Sequence, residues 1–96
     1  MIVSVFAYDV DPAGRADFER VYGPDGEWAR FFVGAEGYLG TELLLGDEYL
    51  VIDRWSSEAA YDAFLTANAE EYARRNREAS GLWRTERVIG RFARVP

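Results

Sequence analysis

Ile2 to Val10 is rich in β-branched and aromatic residues, which predicts a strand. Its two alternating sets, Ile2/Ser4/Phe6/Tyr8/Val10 and Val3/Val5/Ala7/Asp9, are both largely apolar, so the strand should be covered on both sides. Asp11-Pro12 then offers a side-chain acceptor followed by proline at a first helical position. Phe18, Val21 and Tyr22 supply a helical stripe, Gly23-Pro24-Asp25-Gly26 interrupts it, and helical spacing resumes at Trp28, Phe31 and Phe32 with Asp25 as the expected cap. Tyr38 to Leu45 and Glu48 to Trp55 read as two strands joined at Gly46-Asp47, a pair suited to a type II′ hairpin. After Ser56 and Ser57, Tyr61, Phe64, Leu65, Asn68 and Tyr72 recur at three- and four-residue spacing, which predicts one continuous helical stripe ending near Ser80-Gly81. Glu86 to Val95 is the last strand.

That order, βαββαβ in a single domain over residues 1–96, predicts an α+β, ferredoxin-like fold: an antiparallel four-stranded sheet with helices on one face. The pattern also leaves a surplus of apolar side chains. In the third strand Tyr49, Val51 and Trp55 oppose Leu50 and Ile52, so the face away from the helices needs a cover too. A second copy of the chain is the simplest one, and a homodimer packed sheet on sheet is expected.

Composition narrows the chemistry. The 96 residues contain no histidine and no cysteine, and all 11 basic residues are arginine. Thiolate metal sites, disulfides, Ser-His-Asp and cysteine nucleophiles, histidine-bound haem and lysine Schiff bases are therefore excluded. No acidic loop has the spacing of a Mg²⁺ or Ca²⁺ site and no glycine run has that of a phosphate loop, so neither metal nor cofactor is expected. A net charge of −6 disfavours nucleic acid as a partner. The apolar stretches are too short to span a bilayer and the opening lacks a basic leader, which predicts a soluble cytoplasmic protein.

Three groups of residues could carry chemistry. Asn68 falls in the middle of the helical stripe: it is either an amide satisfied by a strand side chain, a tyrosine or water, or, with Tyr72 one turn on, the polar end of a helix–sheet pocket. Asp53 is an acid inside an apolar strand, either paired with an arginine on a neighbouring strand or left poorly solvated and able to accept a proton. Arg87 and Arg91 share one alternating set of the last strand and Arg94 the other, so each set offers a guanidinium to an anionic ligand or lies over apolar neighbours.

Gly37-Tyr38-Leu39-Gly40-Thr41-Glu42-Leu43-Leu44, Tyr49 to Ser57 ending in Trp55-Ser56-Ser57, and Ala60-Tyr61-Asp62-Ala63-Phe64 together resemble the antibiotic biosynthesis monooxygenase family. The likeness runs from about Tyr8 to Phe92 and is more specific for fold than for activity. It implies a dimeric α+β barrel and oxidation of a phenolic, polyketide-like molecule by O₂ without cofactor. It also implies a pocket between helices and sheet. Trp55 matches the family's strand-ending tryptophan, and Asp53, Asn68 and Tyr72 are the implied catalytic groups. Trp28, Phe64 and Arg91 are the implied substrate contacts, with Phe64 standing where many members carry a histidine. A lack of histidine argues against the family's haem-degrading branch. The alternative from another class is a non-catalytic barrel that binds a small aromatic or apolar ligand, or serves as an assembly or stress-response module.

Overall fold

The computed structural model describes residues 1–96 and carries four strands, β1 (Ile2–Asp9), β2 (Tyr38–Leu45), β3 (Tyr49–Trp55) and β4 (Thr85–Ala93). Four helices accompany them: α1 (Arg15–Tyr22), α2 (Glu27–Phe32), α3 (Glu58–Ala67) and α4 (Ala69–Ala79). The sheet order is β2-β3-β1-β4 and every neighbouring pair is antiparallel, as the ferredoxin-like order requires. β3 alternates between buried Tyr49, Val51, Asp53 and Trp55 and half-buried Leu50, Ile52 and Arg54. Its buried face shares one core with Phe18, Val21 and Tyr22 of α1, Trp28 and Phe32 of α2, and Tyr61 of α3. Removing side chains such as Phe18 and Trp55 from water contributes roughly 2–3 kcal/mol each before the cost of ordering them.

The helix starts follow local chemistry. Asp11 accepts from the Ala13 amide at 2.9 Å and opens a 3₁₀ turn over Pro12–Gly14 that leads into α1. Ser57, rather than Ser56, caps α3 by accepting from the Ala60 amide at 3.1 Å. α2 is capped by Gly26 in extended conformation and not by Asp25.

Several expectations are corrected. The hairpin between β2 and β3 closes through Gly46, Asp47 and Glu48, with Gly46 N–H donating to the Glu48 carbonyl at 2.9 Å. Gly46 has no positive φ, so the turn is not type II′. The helix predicted to run unbroken past Asn68 stops there: Asn68 has φ −121° and ψ 28°, and its side-chain Nδ2 donates to the Phe64 carbonyl at 2.9 Å. An amide that competes in this way for a carbonyl of its own helix is why asparagine favours helix ends. A second helix restarts at Ala69, with the Tyr72 N–H donating to the Asn68 carbonyl at 2.9 Å.

Two bulges reset the alternation of the edge strands. Tyr38 faces Trp55 while Gly40 faces Arg54, so Leu39 is the extra residue in β2. Val5 faces Gly90 while Phe6 faces Val88, so Ile89 is the extra residue in β4. Gly40 (φ 140°) and Gly90 (φ 143°) hold the positive backbone angles at these places, which a residue with a Cβ rarely adopts. The second bulge separates two arginines expected on one face. Arg87 stands opposite Ala7 and Arg91 opposite Ser4, positions three apart on β1 that point to opposite sides.

Candidate functional site

Register lines up one polar row across the helix-covered face of the sheet. Thr41 of β2 stands opposite Asp53 of β3, Asp53 opposite Ser4 of β1, and Ser4 opposite Arg91 of β4. Asp53 is only 6% exposed, yet no arginine pairs with it. Its partner is Thr41, whose Oγ1 donates to Oδ1 at 2.6 Å. Burial pushes the Asp53 carboxyl up to about 6, against the opposing pull of that hydroxyl. The predicted arginine pair is absent because Arg91 is drawn outward, to Asp62 at 2.8 Å and Glu58 at 3.1 Å.

Above this row lies a cavity between sheet and helices, lined by Phe6, Val51, Trp28 and Phe32 in its middle. Asp53 and Tyr61 form one polar end. Tyr8, Tyr22, Asn76 and Glu86 form the other, and the Tyr72 hydroxyl lies within electrostatic reach of both. At that second end Tyr8 donates to Glu86 at 2.7 Å, and the Trp83 indole donates to the Tyr22 hydroxyl at 3.1 Å. Burial raises the Tyr72 phenol to about 12, so it remains a neutral O–H donor at ordinary pH. The free volume is about 30 Å³, room for a water or two. Trp28 is the shared wall between this space and an outer cleft of about 250 Å³ beside Arg20, Glu27, Arg75 and Glu78. Its indole is 9% exposed and packs on Tyr22, Phe31, Phe32 and Tyr72.

The predicted residues divide. Asp53, Tyr72 and Trp28 meet at the cavity. Trp55 lies one step along β3, fully buried and stacked on Tyr61 with ring centroids 5.0 Å apart. Phe64 packs against Trp55 at 5.7 Å and Phe32 at 5.4 Å, behind the cavity wall. Arg91 covers the outer side of the Tyr61 ring, its guanidinium 4.6 Å from the centroid. Asn68 is not brought to the cavity with Tyr72; it lies in a surface groove beside Ala67 and Phe64, its amide held by the Phe64 carbonyl of its own helix. Asn76, one turn beyond Tyr72 on α4, is the amide that lines the cavity instead. Sequence reasoning missed Asn76, Glu86 and Thr41. The glycine inside β2 was the available sign of a bulge that brings Thr41 and Asp53 into register. No cluster of three or more metal-ligating side chains gathers anywhere in the fold, and no helix is long and apolar enough to cross a membrane.

Residues 1–76 match the family model described as antibiotic biosynthesis monooxygenase. No curated protein matches the chain by sequence. Among solved structures, a variant of SnoaB, a cofactor-independent oxygenase from Streptomyces nogalater, superposes with TM-score 0.77 at 23% identity, covering 97% of this chain and 91% of that one. The haem degrader MhuD from Mycobacterium tuberculosis, with two haems in its active site, gives TM-score 0.73 at 20% identity over 100% and 97%. A monooxygenase from ActVA-Orf6 of Streptomyces coelicolor, in complex with nanaomycin D, gives 0.67 at 24% identity over 99% and 91%. At such identities the likeness speaks for the fold.

Proposed function

The chain belongs to the antibiotic biosynthesis monooxygenase family, and on that premise we propose that it is a cofactor-independent monooxygenase acting on a phenolic, polyketide-like molecule held in the cavity between helices and sheet. The observation that carries this reading is a buried carboxylate, Asp53, on the floor of an aromatic cavity that is also lined by the neutral phenol of Tyr72. Asp53 takes the phenolic proton; Tyr72 and Asn76, which line the same cavity, donate to oxygen on the ring system. The aromatic walls exclude water, so that an electron-rich phenolate can pass an electron to O₂. One oxygen atom ends in a quinone and the other in water, whose two hydrogens come from the substrate. Haem fits poorly here, since the histidine and cysteine that commonly hold its iron are absent from the chain.

Oxygen uptake against a panel of hydroxylated aromatics, without added metal or flavin, tests the reading. Turnover is expected with at least one planar phenol, and Tyr72→Phe should lower kcat about 10²-fold, the loss typical of a single oxyanion donor. The small free volume favours a second reading, a non-catalytic barrel for a small apolar ligand; a ligand that binds but is never oxidised would decide for it.

The homodimer belongs to the same proposal. The sheet face away from the helices carries Val3, Val5, Leu50 and Ile52 at its centre, with Phe92 half exposed beside them. Sheet-on-sheet packing with a second copy would remove that surface from water. The protein is expected to elute as a dimer at micromolar concentration. Ile52→Arg, at the centre of that face, should convert it to a folded monomer; a variant that still elutes as a dimer would place the contact elsewhere.

A further inference from the structure

The bulge at Leu39 has a chemical consequence at Asp53. In a regular strand Tyr38 and Thr41, three residues apart, would point to opposite faces. With Leu39 extruded, Tyr38 stands opposite Trp55 and Thr41 opposite Asp53, both on the helix-covered face. Their hydroxyls meet at 2.6 Å, and Thr41 in turn reaches Asp53 Oδ1 at 2.6 Å. The link between Tyr38 and Thr41 accepts a proton from either side. β2 is an edge strand and Tyr38 is half-buried, so this line of hydroxyls leads from the cavity floor toward the outside of the sheet.

We propose that Tyr38 and Thr41 form a hydroxyl relay that carries protons between Asp53 and solvent at the edge of the sheet. The proposal rests on the reading of Asp53 as the group that takes the substrate's proton. Asp53 is nearly sealed already, and a ring seated above it closes the cavity side to water. A carboxyl protonated there can return to the carboxylate only through the back. In the resting direction Tyr38 donates to Thr41 and Thr41 donates to the carboxylate. After the phenol gives its proton to the cavity-facing oxygen, the carboxyl turns about its Cβ–Cγ bond and the chain reverses. Asp53 O–H then donates to Thr41, Thr41 O–H to Tyr38, and Tyr38 O–H to water. One proton enters at the cavity, one leaves at the sheet edge, and no electron moves. The charged and titratable groups around Asp53 are Tyr61 on α3, Tyr72 on α4, Arg91 on β4 and Tyr38 on β2; none supplies a second hydrogen bond to the carboxylate. Thr41 and Tyr38 are positioning residues, acting through Asp53 and touching no substrate.

Juglone, a hydroxylated naphthoquinone whose ionisation changes its visible absorption, is a suitable probe. The full-length protein is mixed rapidly with juglone in weak buffer while a pH indicator follows the proton released. Wild type should ionise the bound quinone and release the proton together with it. Thr41→Val and Tyr38→Phe should bind juglone with unchanged Kd but release the proton at least tenfold more slowly, and Thr41→Ser should restore the rate. Release from Thr41→Val as fast as from wild type, with juglone ionised in both, overturns the relay and leaves the role of Asp53 standing. A wild type that leaves bound juglone un-ionised, or does not bind it, overturns both. If Thr41→Val fails to give the native circular dichroism, Tyr38→Phe against wild type decides: an undiminished rate there overturns the relay.

Discussion

Replacing Trp55 by alanine is expected to lower the unfolding free energy by about 3–5 kcal/mol, a large share of the roughly 5–15 kcal/mol that holds a domain of this kind together. Trp55 is 0% exposed and is the point at which three elements meet. Its ring stacks on Tyr61 of α3, receives the edge of Phe32 of α2 at 5.6 Å, and lies 5.3 Å from Tyr38 of β2. An alanine leaves a cavity that this ring of aromatics cannot close without moving α3 off the sheet. Trp55→Phe should cost much less. It keeps most of the apolar contact, and it removes an indole N–H that is buried without a partner and is itself a liability. Urea unfolding followed by far-ultraviolet circular dichroism checks both. An alanine variant with a midpoint close to wild type would mean that Trp55 is not the keystone of the α3–β3 contact.

The order of elements was legible because each is short and bounded by residues with one dominant preference: Asp11-Pro12 before α1, Ser57 before α3, and Gly46-Asp47 between β2 and β3. Alternation in β3 also told correctly that Tyr49, Val51, Asp53 and Trp55 share a face. What stayed hidden was any deviation of a single residue from a regular period. Leu39 and Ile89 each displace the pattern after them by one position, which turned Thr41 toward Asp53 and split Arg87 from Arg91. Asn68 interrupted the helical wheel: a continuous 3.6-residue period aims its amide at the sheet beside Tyr72, while a helix that ends at that residue turns the amide back to the Phe64 carbonyl. Periodicity extrapolates from one turn to the next and has no means of registering an interruption. The interrupting residues are themselves visible in the chain as glycines inside strands and an asparagine inside a helix.

An irregularity brings Thr41 to Asp53, but Asp53 itself comes from the regular alternation of β3, and it is also a strain on the fold. Asp53→Asn is expected to make the protein more stable at neutral pH and at the same time to suppress its proposed chemistry. Burial raises the carboxyl of Asp53 from 3.8 to about 6 in the folded chain. A raised acid binds its proton more tightly when folded, so its contribution is most favourable below the unfolded value and is lost as pH climbs from about 4 to about 6. Above that window the folded protein holds a buried carboxylate at a cost of roughly 3 kcal/mol relative to acid conditions. Asparagine has the same shape, its carbonyl still accepts from Thr41, and it carries no charge to desolvate. The difference in urea midpoint between Asp53→Asn and wild type should be near zero at pH 4 and clearly positive at pH 8. Taking the difference cancels the many other acids that titrate in both proteins. Oxygen uptake should fall about 10²–10⁴-fold, the usual worth of a positioned general base. Lower stability at pH 8 would show that the carboxylate is welcome where it sits. Undiminished turnover in the more stable variant would mean that the substrate gives up its proton to some other group.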